Sequence, residues 1–167
     1  GHVLRSWSGL PQIACHQAGW WACVLLMGWQ GPAVMGLFIA VHLYQTRSCW
    51  RRETKLMVWS TIIGLLLDNT LASTDSVIYI GELLIVYCPL WLVAIWTGFG
   101  ATLRYSQSIL VRTPYHALAT GVIGGPLAYV GGEKLGRLTI NGSLGLFAVS
   151  MTWGIAMYLL YRLSRAE

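Results

Sequence analysis

Asp68, in the stretch "GLLLDNTL", is the one charged side chain set well inside an apolar run, residues 56–74. A carboxylate at membrane depth costs on the order of 3 kcal/mol on insertion scales, so something must compensate it. Two chemistries are open. The group is either a proton or cation site or an acid/base, or it is the hydrogen-bonded partner of a neighbouring helix. Thr61, Gly64, Asp68, Ala72 and Asp75 recur at spacings of three and four, which puts the small and polar residues on one helical face. That face is expected to look into a helix bundle. Asp68 falls about 10 Å below the outer end of its helix, whereas Arg104 falls near the opposite end of the next apolar run. Lys134 has a long stem at the outer end of its own run, so the expected outer polar cluster is Asp68, Asn69, Glu133 and Lys134. One carboxylate without a second catalytic group assigns no catalytic residue.

His16, His42 and His116 map toward the same end as Arg104. Convergence of these four would suit a lipid phosphate, and they are the candidate headgroup-binding set. No His pair has the i, i+4 spacing of zinc motifs, so no metal is expected. There is no G-x-S-x-G nucleophile motif and no cofactor fingerprint, and no cofactor is expected.

The glycine-rich stretch "GGPLAYVGGEKLG", residues 124–136, follows an apolar run. It lacks the G-x-x-x-x-G-K-[ST] order of a phosphate cradle. Ala117, Gly121 and Gly125 recur every four residues before Pro126, and Ala128, Gly132 and Gly136 recur after it. Such rows let helix backbones approach closely in lipid. All six are expected to be packing residues, with Pro126 kinking the helix and turning the second row relative to the first.

The elements that must position these residues follow from composition. Of 167 residues, 56% are hydrophobic and only 10% charged, with mean hydropathy +0.59. Soluble domains carry about 25% charged residues, so this is a membrane composition. Uncharged runs at 83–103, 113–132 and 138–161 each suffice for one crossing, which takes roughly 20 residues. The first run, 6–46, is about twice that length and holds "GWQGP" at its middle; Gly31 and Pro32 are expected to turn the chain there. The expected fold is all-α, a single polytopic membrane bundle of six helices at about 12–29, 32–46, 56–74, 85–105, 114–133 and 143–161. One long tilted first helix, giving five spans, is the alternative.

Six spans put Arg5, Arg47, Arg51, Arg52, Lys55, Arg104, Arg112, Arg162 and Arg165 on one side and only Lys134 and Arg137 on the other. The positive-inside rule then predicts both termini in the cytoplasm. The net charge of +5 faces anionic headgroups at helix ends and requires no nucleic acid. Trp and Tyr near run ends suit aromatic belts, and "SVIYI" in the longest outer connection suits a segment lying along the headgroup plane. Cys15, Cys23, Cys49 and Cys88 are expected to be small packing residues without a structural disulfide. No cleavable-signal order opens the chain, and without an initiating Met a few residues are expected to be missing.

"QAGWWACVL", "GPAVMGLFIAVHL", "GLLLDNTL", "CPLWLVAIWTGFGATL" and "GGPLAYVGGEKLG", in this order and spacing, resemble a family of small bacterial inner-membrane proteins, domain-of-unknown-function family twenty-eight seventy-eight. The resemblance runs from about Gln17 to the last span, and Asp68 resembles that family's aspartate in span three. It implies class and compartment, the bacterial inner membrane, and no catalytic residue. It also implies a link to lipid modification, because members are encoded near fatty-acid or phospholipid-modifying enzymes. The expected function is that of a non-catalytic accessory that binds membrane lipids or a membrane protein partner. The alternative is a small transporter or intramembrane enzyme using Asp68, with Glu133 and Lys134 at its entrance.

Overall fold

The computed structural model describes residues 6–26 and 28–166. Arg5, counted above among the basic residues, and Met27, within the first expected span, lie outside the described residues. The chain is mostly helical, with six helical rods among the described residues. The first two are α1 (Leu10–Leu25) and α2 (Gln30–Gln45), of 16 residues each. Pro11 sits in the first turn of α1, where its missing N–H is not needed. The single long helix is thereby set aside: α1 ends at Leu25, Gly28 takes φ +63°, and α2 starts at Gln30. Gly28 therefore supplies the left-handed turn residue, and Gly31 does something else. A Cβ on Gly31 would lie 2.5 Å from the Cys23 Cα, so this glycine lets α2 press onto α1.

After a 3-10 turn at Arg47–Cys49 comes α3 (Trp50–Ser73). Together with α7 (Gly142–Arg165) it supplies, among the described residues, the two helices with the length and apolar composition to cross a membrane, over Arg47–Ser73 and Gly142–Arg165. Between them lies α4 (Leu90–Thr102), which exposes none of its residues and packs against α1, α2 and α3. It has 13 residues, about 20 Å of helix, and is shorter than the expected span at 85–105. The segments flanking it are not helix. On one side, β2 (Leu84–Ile85) and β3 (Cys88–Pro89) form a tight antiparallel ribbon. On the other, turns and a 3-10 segment at Ser108–Val111 lead to the fifth rod.

That rod is built from α5 (Pro114–Ala119), a π-turn (Thr120–Gly124) and α6 (Gly125–Lys134). Pro126 lacks an N–H, so the carbonyl four residues earlier, on Val122, loses its helical donor. The Ser150 hydroxyl of α7 supplies one instead, at 2.7 Å. The π-turn accommodates the proline and ties the rod to α7 at the same point.

The "SVIYI" segment does not lie free along a surface. Val77–Tyr79 is β1, paired antiparallel with β4 (Leu138–Ile140) in the register Val77 to Ile140 and Tyr79 to Leu138. This ribbon joins the connection after α3 to the connection after α6 and holds Tyr79 over the end of the bundle. Gly136, expected as a packing residue, is instead the turn residue that ends α6. Its φ is +77°, nothing lies within 4 Å of a Cβ built there, and the Arg137 N–H reaches back to the Gly132 carbonyl at 3.0 Å.

Candidate functional site

Asp68 lies on α3 and is fully buried. Its partners come from three other elements. Trp96 of α4 donates its indole N–H to Oδ2 at 2.7 Å, Tyr79 of β1 donates its hydroxyl to Oδ1 at 2.5 Å, and Tyr129 of α6 donates to the same oxygen. Gly64, one turn before Asp68, is what admits the indole: a Cβ there would lie 2.1 Å from Trp96 Cγ. Ser60 on the same face donates to the Trp96 carbonyl at 2.7 Å, and the Thr61 and Thr97 hydroxyls meet at 2.6 Å. The α3–α4 seam is thus small and polar.

The other three members of the expected outer cluster do not join Asp68. Asn69 accepts the Tyr87 N–H at 2.8 Å, on the β2–β3 ribbon side. Glu133 accepts the Ile140 N–H at 2.5 Å and anchors β4. Lys134 is exposed at the end of α6 and makes no ion pair with Asp68 among the described residues.

The candidate headgroup set is also divided. His42, fully buried, is bound to a carboxylate that sequence reasoning passed over, that of Glu53. Nε2 of His42 and Oε2 of Glu53 are 3.1 Å apart. On the other side of the ring, the Trp7 N–H reaches Nδ1 at 3.1 Å. Arg104 meets the second Glu53 oxygen at 3.4 Å and donates to the carbonyls of Ser164, Leu163 and Ala166, at the C-terminal end of α7. Its side chain is 9% exposed and Glu53 is 1% exposed, so this is a buried chain from His42 to Arg104. A cation at the last carbonyls of a helix also compensates the helix dipole. His116 is exposed at the start of α5, where the Thr113 hydroxyl accepts its N–H at 3.1 Å.

His16 stands apart from all of these. It is 3% exposed and lines a cavity of about 430 Å³ between α1 and the fifth rod. Trp20 and Trp21 of α1, Trp96 and Phe99 of α4, and Trp153 of α7 line it, together with the polar Gln17, Gln107 and Thr120. Trp96 and Trp153 stack with ring centres 4.4 Å apart, so the same indole that binds Asp68 also faces the cavity. Gly124, Gly125 and Ala128 form the opposite wall.

The glycine rows divide by position. A Cβ on Gly121 would meet the Trp153 carbonyl oxygen at 2.2 Å, and one on Gly125 would meet Trp153 Cγ at 2.5 Å. Ala117 is fully buried, and a Cβ on Gly132 would touch Leu138 at 3.1 Å. Ala128 is an exposed residue at the rim of the cavity. Missed from sequence were Glu53, hidden within a basic loop-like stretch, and the three donors to Asp68, namely Trp96, Tyr129 and Tyr79, the last of which reads as a belt residue until the ribbon turns it inward.

Among the described residues no group of three His, Cys, Asp or Glu side chains is placed to hold a metal ion. No curated protein and no solved structure matches the chain. Residues 10–159 match the family described as protein of unknown function (DUF2878). That match covers most of the chain, which therefore belongs to the DUF2878 family.

Proposed function

We propose that this protein crosses the bacterial inner membrane six times with both termini cytoplasmic, and that it binds lipid without catalysis, as an accessory to a membrane partner in lipid modification. The observation that carries the lipid-binding reading is the aromatic cavity of about 430 Å³, within the roughly 300–1,000 Å³ typical of small-molecule sites. Its rim residues Trp21 and Ala128 are exposed. Leu25, one turn beyond Trp21, is exposed, as are the large apolar side chains of Leu37, Leu66, Leu127 and Phe147 on other rods.

The membrane reading is supported by an inverted distribution of polarity. Gln12, His42, Glu53, Ser60, Asp68 and Thr102 are buried, while large apolar side chains face outward. Water would disfavour so much exposed apolar surface, and lipid does not. A transporter or intramembrane enzyme working through Asp68 has less support, because both carboxylate oxygens are engaged by fixed donors. Mass spectrometry of the protein purified from its native membrane tests the proposal. A reproducible bound lipid or membrane partner is the expected result; finding neither would overturn it.

A further inference from the structure

Several basic side chains at the end of the bundle that carries Arg104 are already committed. Arg47 donates to the Tyr44 carbonyl at 2.9 Å and lies over its ring, Arg51 lies over the Trp50 ring, and Arg165 donates to the carbonyls of Val111 and Arg112. Arg52 and Lys55 differ. Both are exposed, and neither side chain makes a hydrogen bond or an ion pair among the described residues. With Leu56 and Trp59 they form one stripe of α3 at spacings of three and four. That stripe is one wall of a second pocket, of about 250 Å³, which Arg104 from the turn after α4 and Leu163 near the end of α7 complete. Arg104 has five N–H groups, and they are turned to the Arg52, Leu163, Ser164 and Ala166 carbonyls and to Glu53. It therefore offers a ligand its charge, while Arg52 and Lys55 offer donors as well.

We infer that this pocket binds the phosphate headgroup of an anionic lipid, with Arg52 and Lys55 as its donors and the upper part of the chain laid along Leu56, Trp59 and Leu163. Three cations stand there against one carboxylate, that of Glu53, which also serves His42. Two positive charges are left unbalanced. A phosphate monoester carries about −1.5 to −2 near neutral pH, whereas a carboxylate would balance only one of them. Lys and Arg make short charge-assisted hydrogen bonds to phosphate. The apolar wall favours a lipid over a free phosphate, which has the same head and nothing to lay against it. The volume is just below the roughly 300 Å³ at which small-molecule pockets begin, so it suits a headgroup with the rest of the lipid outside, over a Trp59 that is 42% exposed. The site shares no lining residue with the aromatic cavity. It has in common with that reading only that these rods stand in a membrane.

The test is calorimetric titration of the full-length chain in uncharged detergent micelles with dioctanoyl phosphatidic acid, with dioctanoylglycerol, which lacks the phosphate, and with inorganic phosphate, which lacks the chains. Saturable binding of phosphatidic acid, about tenfold or more tighter than either of the others, is the expected result. Arg52→Gln and Lys55→Gln alter exposed side chains without folding partners and should each weaken it severalfold. Arg51→Gln removes the same charge one residue away, outside the pocket, and should leave it unchanged. Gly124→Leu, which fills the aromatic cavity, should also leave it unchanged, so the two sites succeed or fail separately. Equal weakening by Arg51→Gln would reduce the effect to general surface charge and overturn the pocket. Inorganic phosphate binding as tightly as phosphatidic acid would assign the site to a soluble anion and overturn the lipid; dioctanoylglycerol doing so would overturn the phosphate. Absence of saturable phosphatidic acid binding would overturn the whole assignment.

Discussion

Gly125→Leu should destabilise the protein, and Gly124→Leu, one residue earlier, should not. A Cβ on Gly125 would lie 2.5 Å from Trp153 Cγ, 2.6 Å from its Cβ and 3.0 Å from its Cδ1. Comfortable carbon–carbon contact is about 3.5–4.0 Å, so the intrusion is about 1 Å even before the rest of the leucine is added. The obstacle is the base of the tryptophan side chain, which cannot swing away without moving α7. Overpacking of this kind costs about 1–3 kcal/mol. Displacing Trp153 also disturbs its stack on Trp96, with ring centres 4.4 Å apart, and such pairs contribute about 0.5–1.5 kcal/mol. The sum is about 1.5–4.5 kcal/mol, a fall in Tm of about 3–18 °C for a chain of this length.

At Gly124 a Cβ would meet only Thr120 Cγ2, at 3.7 Å, which is ordinary contact. Leucine there also gains helix propensity of about 0.8 kcal/mol over glycine, so its Tm should hold or rise. The assay is thermal unfolding of the two variants and the parent in the same detergent, followed by loss of the monodisperse species. A Gly125→Leu protein as stable as the parent would refute the close-packing argument, as would equal destabilisation by both substitutions.

Asp68→Asn removes one of two acceptor oxygens from a site with three donors, and leaving a buried donor unmatched costs about 1–3 kcal/mol; the variant should melt earlier while any deletion phenotype is complemented in proportion to folded protein. Loss of complementation at parental stability and abundance would favour the transporter or enzyme reading instead. Glu53→Ala leaves His42 and Arg104 facing a gap where the carboxylate stood, and should destabilise by about 3 kcal/mol, the low end for breaking a buried pair, because Arg104 retains the α7 carbonyls; the same melting assay measures it. Ile123→Phe should be neutral in that assay, since Ile123 is 62% exposed. Reporter fusions should place the turn before Gln30 outside and the 47–55 segment inside, and a cytoplasmic report from Gln30 would remove the six-span topology.

The helical hairpin at the start of the chain was legible because an uncharged run of double length needs a turn, although Gly31 and Pro32, expected to make it, lie inside α2 and Gly28 supplies the left-handed residue. The inward face of α3 was legible for a similar reason. Small and polar residues at spacings of three and four put Gly64 and Asp68 on one side, and both are buried. The partners of Asp68 were not legible. Charge complementarity pointed to Lys134, but a carboxylate can equally be satisfied by neutral donors, and Tyr79, Trp96 and Tyr129 are separated from it by 11, 28 and 61 residues. Nothing local in the sequence specifies that β1 pairs with β4 and brings Tyr79 over the bundle. Glu53 was obscured by Arg51, Arg52 and Lys55, which read as a solvated basic loop although this stretch is the first turn and a half of α3. The cavity was invisible from sequence because its walls come from α1, α4, α6 and α7, and apolar periodicity does not distinguish a wall residue from a packed one.

The central claim is that lipid occupies the cavity beside His16, and the most direct measurement is the lipid-to-protein ratio, by native mass spectrometry, of the parent and Gly124→Leu purified identically from membranes. Gly124 lines the cavity and has room for a side chain, so leucine fills ligand space without disturbing the helix contacts. The account predicts a defined lipid adduct on the parent and its loss from a Gly124→Leu protein of undiminished Tm. The same adduct retained in full by the variant would place the lipid elsewhere and contradict the account.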